Sequence, residues 1–161
     1  MKRALLLLAI ALCVAAVVLA APDFSGTWAR NAEKTAVANP APAGGGGGGG
    51  GGRGGGGGMG GGEMVIKMTG TEMSITQGQN ESKYVLDAAE HTVTTGRGDL
   101  KYKATWSGDV LTIAGTQSSQ RGDSPYKMQY SMSADGKELT TTQTMNMQGQ
   151  EMVRKTIYDK K

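Results

Sequence analysis

The chain is 161 residues long, 27 of them glycine, with 17 basic residues, 14 acidic ones and a formal net charge of +3. That length holds one modest domain, the single cysteine excludes an internal disulfide, and the single histidine leaves no cysteine–histidine cluster of zinc-site spacing. So slight a basic excess gives no electrostatic footprint for a nucleic-acid partner, and none is expected.

The chain opens MKRALLLLAIALCVAAVVLAAPDF. Lys2 and Arg3 precede an unbroken apolar stretch from Ala4 to Ala21, and Pro22 and Asp23 follow it. A positive n-region, an apolar h-region and a small-residue cleavage site make up a secretory signal. Val18 and Ala20 place the cut before Ala21, so residues 1–20 are expected to be removed and the protein to work in a periplasm or outside the cell. The apolar stretch also approaches the minimum needed to span a bilayer, so a retained anchor is the competing reading. After cleavage no stable membrane span is expected. A lipid anchor on Cys13 would need a small residue just before it, and Leu12 stands there. Cleavage removes Cys13 together with Lys2 and Arg3, leaving 15 basic residues against 14 acidic ones.

A first strand is predicted over 24–30, followed by a connector in which 31–39 forms a short helix or stays coil. Pro40 and Pro42 mark the start of a tether over 43–62, where 17 residues are glycine and only Arg53 and Met59 interrupt the run near its middle and end. Such a run has almost no side chain to bury and maximal backbone entropy to lose, which predicts a disordered linker. It lacks the Gly-Lys-Ser/Thr ending of a phosphate loop.

From residue 63 the pattern changes to short runs of alternating apolar and polar residues, with turn signals about every 8–12 positions. Strands are predicted at 64–69, 72–76, 82–86, 92–95, 100–106, 110–116, 125–133, 138–147 and 151–158. Gly108-Asp109, Asp135-Gly136 and Gln148-Gly149 supply tight-turn chemistry between them. Tyr126, Met128, Tyr130 and Met132 fall on one strand face, as do Leu100, Tyr102, Ala104 and Trp106 on another. Each of these strands follows an Arg-Gly-Asp, at Arg97 and at Arg121, which reads as a degenerate hairpin repeat. A meander with one apolar face per strand curls into a barrel, which also removes its exposed edges. The expected fold class is therefore all-β, an antiparallel meander closing into a small barrel or strongly curled sheet.

The segment Phe24-Ser25-Gly26-Thr27-Trp28 resembles the Gly-x-Trp signature that opens lipocalin-like, calycin-type barrels. The Trp106–Asp109 hairpin, the Ser133–Lys137 turn and the Tyr158–Lys160 end resemble a group of bacterial secreted proteins with the same FSGTW start. The resemblance spans most of the mature chain. It implies that Trp28 closes one end of the barrel, with Arg154 from the last strand packed across its ring.

No catalytic constellation is present: His91 stands alone, no cysteine nucleophile survives cleavage, and the carboxylates are scattered mainly through turns. The chain is read as a non-enzyme, and no cofactor is expected. The leading function is binding of a small apolar or amphipathic ligand, with Tyr102, Trp106, Tyr126 and Tyr130 as lining candidates. An alternative follows from eight methionines after residue 63. Thioether sulfur suits a soft metal such as Cu(I), and Met145 and Met147, on one face of a strand, would act with His91. Those methionines also sit where a meander places its core, and methionine fills irregular gaps. A third reading is a structural or protein-interaction domain of the cell envelope. The RGDSP at Arg121 resembles an integrin-recognition loop, although glycine and aspartate are also what turns select. Oligomeric state is not encoded in any of these features.

Overall fold

A computed structural model describes residues 21–40, 62–120, 122–147 and 150–161. The export signal predicted over 1–20, Arg121, and all of the predicted glycine tether except Gly62 lie outside the described residues. Among those described, ten strands form one antiparallel sheet: β1 (Gly26–Arg30), β2 (Glu63–Met68), β3 (Glu72–Gln77), β4 (Asn80–Val85), β5 (Glu90–Thr95), β6 (Gly98–Ser107), β7 (Val110–Ser119), β8 (Gly122–Met132), β9 (Glu138–Met147) and β10 (Gln150–Lys160). One short helix, α1 (Ala32–Ala38), follows β1.

Consecutive strands pair antiparallel except β4 with β5, and β1 lies between β2 and β10, so the sheet order runs β4-β3-β2-β1-β10-β9-β8-β7-β6-β5. The two end strands, β4 and β5, come alongside each other and nearly close the sheet into a barrel. Where a ladder is missing there, a side chain reaches across: Val85 N–H of β4 donates to the Tyr102 hydroxyl of β6 at 2.7 Å. The Tyr84 ring meets Tyr102 edge-on, centroids 5.2 Å apart.

Alternation built these strands. On β6, Leu100, Tyr102 and Ala104 are buried while Lys101, Lys103 and Thr105 are exposed, as a period of two demands. The Asp135-Gly136 hairpin forms as expected. Gly136 takes φ 70°, and Asp135 Oδ1 accepts from Ser133 Oγ at 2.6 Å and Lys137 N–H at 3.1 Å. At Gly115 on β7, a side chain has no room, since a Cβ there would stand 1.9 Å from the Lys101 carbonyl oxygen of β6.

The connector after β1 is helical, and its caps explain why. Asn31 Oδ1 accepts from Lys34 N–H at 2.9 Å, the N-cap bond that replaces a missing helical acceptor. Asn39 at the other end donates to the carbonyls of Thr35 and Lys155 and accepts from Lys155 N–H. Because β1 pairs with only the last part of β10, α1 continues that edge with side chains. Asn31 N–H donates to the Ile157 carbonyl at 2.8 Å, and Ile157 N–H donates to Thr35 Oγ1 at 3.0 Å. Lys34 adds salt bridges to Glu138 and Asp159 at 2.6 and 2.9 Å.

Candidate functional site

The interior of the barrel changes chemistry from one end to the other. Along the inward face of β3 the residues run Met73, Ile75, Gln77; along β7, Leu111, Ile113, Gly115, Gln117; along β9, Leu139, Thr141, Gln143. On β10 the same change runs backwards in sequence, from Tyr158 through Thr156 to Arg154. In each case the apolar end lies toward the β2–β3, β6–β7 and β8–β9 turns.

That apolar end is closed by Phe24, just before β1, and by Trp28 on β1. Phe24 and Trp28 are fully buried, and Trp28 Nε1–H donates to the Phe24 carbonyl at 2.9 Å. The Phe24 ring stacks on Trp106 at 5.6 Å and tilts against Tyr130 at 6.4 Å. Met68 on β2 holds the segment in place, its N–H donating to Ser25 Oγ and its Sδ accepting from Phe24 N–H. The cation over the Trp28 ring is Lys160, its Nζ 5.4 Å from the centroid. Arg154, the partner implied by resemblance, pairs in register with Gln143 and is exposed, whereas the register sets Lys160 directly opposite Trp28.

The other end opens into a cavity of about 320 Å³. Its floor is Met64, Ile75 and Met128, with the rings of Tyr84, Tyr126, Tyr130 and Tyr158 around it. Gln77, Asn80, Gln117, Gln143 and Thr141 surround the upper wall, and Arg97 in the β5–β6 turn stands at the mouth. Among the described residues, no aspartate or glutamate lines the cavity. Gln117 is held rigidly, its Nε2 donating to the Asp99 carbonyl at 3.1 Å.

Burial pushes all four cavity phenols up from their ordinary pKa, so they stay protonated as hydrogen-bond donors at neutral pH. Burial pushes Tyr130 well above its ordinary value, with the neighbouring phenols Tyr126, Tyr84 and Tyr158 adding to the effect. The Arg97 guanidinium opposes the rise at Tyr126, while Arg30 and Arg154 oppose it at Tyr158. Arg30 shares the inner face of β1 with Trp28 and lies opposite Tyr158 in the β1–β10 register. Its Nε is buried and has no hydrogen-bond partner among the described residues.

Of the four lining candidates read from sequence, Tyr126 and Tyr130 border the cavity. Tyr102 is buried in the β4–β5 seam, and Trp106 packs at the closed end against Phe24. In the sheet order three strands, β6, β7 and β8, lie between His91 on β5 and Met145 on β9, and the Met147 side chain lies outside the described residues. His91 Nε2 instead contacts Asp87 Oδ1 at 2.7 Å, and its ring faces Tyr102 at 6.0 Å. That contact holds the Asp87 carboxyl below its usual range. Among the described residues no group of three or more His, Cys, Asp or Glu side chains is placed to hold a metal ion, and no helix is long and apolar enough to cross a membrane.

Sequence reasoning passed over Tyr84, Tyr158, Arg97 and the four amides of the mouth. A signal was present: Gln77, Gln117 and Gln143 each occupy the inward parity of a strand whose other inward residues are largely apolar. The sequence matches no family model and no curated protein.

Proposed function

We propose that this protein is an exported, non-enzymatic binding module that holds a small amphipathic molecule inside its barrel. The observation that carries this reading is the cavity of about 320 Å³, open at one end above a floor of Met64, Ile75 and Met128. A structural domain gains nothing from leaving such a space, because each unfilled volume forfeits packing. Ligand sites are typically concave, with an apolar body and a few placed polar groups, and the tyrosine hydroxyls and mouth amides supply the latter. The signal-like residues 1–20 support a role outside the cytoplasm, and the resemblance of Phe24-Ser25-Gly26-Thr27-Trp28 to the start of lipocalin-like barrels supports the same class of function. The polar wall favours an amphipathic occupant over a purely apolar one. An alkane-like guest would leave buried donors unpaired, at about 1–3 kcal/mol each.

Native mass spectrometry on protein purified from its own host without refolding tests the reading. A retained organic molecule, lost when Tyr130→Trp fills the cavity, is the expected result. Protein that carries no organic adduct, and that binds none from a metabolite extract of that host, would overturn it.

A further inference from the structure

The last strand outruns its neighbour. On one side β9 accompanies β10 from Gln150 to Asp159, but on the other β1 pairs only with Tyr158, Asp159 and Lys160. Helix α1 covers the next stretch, where Thr35 and Asn39 bond to the backbone of Ile157 and Lys155. From Glu151 to Arg154 no strand among the described residues pairs with that edge. We propose that this edge docks a second copy of the chain, the two β10 strands pairing antiparallel about Met152 so that one sheet runs through both barrels.

Alternation decides which backbone groups are available. Ile157 and Lys155 turn their N–H and C=O away from β9, so Val153 and Glu151 do the same. A two-fold axis relating antiparallel neighbours stands perpendicular to the sheet and keeps each face in place, so residues of like parity must oppose each other. Centred on Met152, it sets Glu151 opposite the partner's Val153 and Val153 opposite the partner's Glu151. Every outward N–H and C=O of both residues is then used. Centring on Glu151 would oppose like charges, and centring on Val153 would need the Lys155 groups that Asn39 already holds.

The side chains fit the same register. Among the described residues, the large apolar side chains left exposed are Met152 and Val153 on this edge and Val37 on α1, two residues from Asn39. Met152 meets its own copy in the closely spaced kind of antiparallel pair. Glu151 and Lys155 are exposed, and Glu151 lies diagonally across from the partner's Lys155, within reach of long side chains. Charges along an edge discourage promiscuous pairing, while the self-complementary order Glu151-Met152-Val153-Arg154-Lys155 admits the chain's own strand.

The contact is short and involves no residue that lines the cavity, so a weak dimer is expected, with a Kd of about 10–100 µM, whether or not a ligand is bound. Sedimentation velocity of the full chain, over concentrations spanning that range, should pass from monomer to dimer. Met152→Lys sets like charges face to face and should weaken association by about tenfold or more. Because Met152 is half exposed, the melting temperature of the monomer should not change. Glu151→Lys should weaken the dimer by about threefold, and adding Lys155→Glu should restore it. With Cys13→Ser in place, Met152→Cys should form an intermolecular disulfide in air, since the Cα separation of a closely spaced pair, about 4.5 Å, suits one. Arg154→Cys should form none. A chain that is monomeric at every concentration, whatever other strand its edge accepts, would overturn the proposal. So would a dimer that Met152→Lys leaves intact or that cross-links through Arg154→Cys.

Discussion

Where β2 turns into β3 and β6 into β7, the barrel interior holds Phe24 in contact with both Trp28 and Trp106. A few residues further along the same strands it holds Gln77, Gln117 and Gln143 around a space. The strands and the pleat are shared, so the difference lies only in which side chains occupy the inward positions. The closed end is packed with rings, and Trp28 Nε1–H is partnered by the Phe24 carbonyl. Hydroxyls, amides and a guanidinium line the open end. Stability is therefore concentrated at one end, and the cavity that we propose as a binding site lies at the other.

The strongest way to break this comparison is Trp28→Ala. Removing a fully buried tryptophan should cost about 3–5 kcal/mol, read as a fall in urea midpoint; a loss below about 1 kcal/mol would show that the closed end is not where stability resides. Gly115→Ala comes next, near the top of the roughly 1–3 kcal/mol range for overpacking, because its Cβ meets backbone rather than a yielding side chain. Tyr102→Phe, which strands Val85 N–H at the β4–β5 seam, should cost about 1 kcal/mol and speed hydrogen exchange of β4 amides relative to β3.

At the open end the sign of the comparison reverses. Gln143→Leu should change unfolding free energy by less than about 0.5 kcal/mol while weakening whatever ligand the native protein retains. A large destabilisation would mean that the polar wall is structural after all. The smallest effect leaves both ends alone. Hydrogen bonds from Lys34, then Asn31, hold the Asp159 carboxyl below its ordinary range. Its contribution is present above the unfolded carboxylate value of about 3.9 and is lost as pH falls through the folded one. Acidification should then raise amide exchange in α1 before any global unfolding is seen.

Much of the fold was legible because its main signal is local. Period-two alternation placed the strands of the meander, and Asp135-Gly136 marked its hairpin. Register was not local. Nothing near Trp28 says that Lys160, rather than Arg154, will lie across from it, since that pairing joins residues at opposite ends of the chain and a two-residue shift keeps every side chain on the same face. The site was half legible for a related reason. Large aromatic residues announced an interior, and Tyr126 and Tyr130 do border the cavity, but attention to apolar residues passed over the inward glutamines that distinguish a lined space from a packed one. The sequence leaves the helix open between two states because its caps act partly on Ile157 and Lys155 of β10, far away along the chain.

The pairing of β1 with β10 bears on when the molecule can exist at all. Trp28 needs Lys160 above it and Tyr158 beside its strand, so β1 waits for β10, the strand most distant from it in sequence. During synthesis the hairpins β2–β3–β4 and β5 to β9 can form in turn, but the barrel cannot shut until β10 has left the ribosome. A barrel built this way stays open for most of the time that its strands are being made.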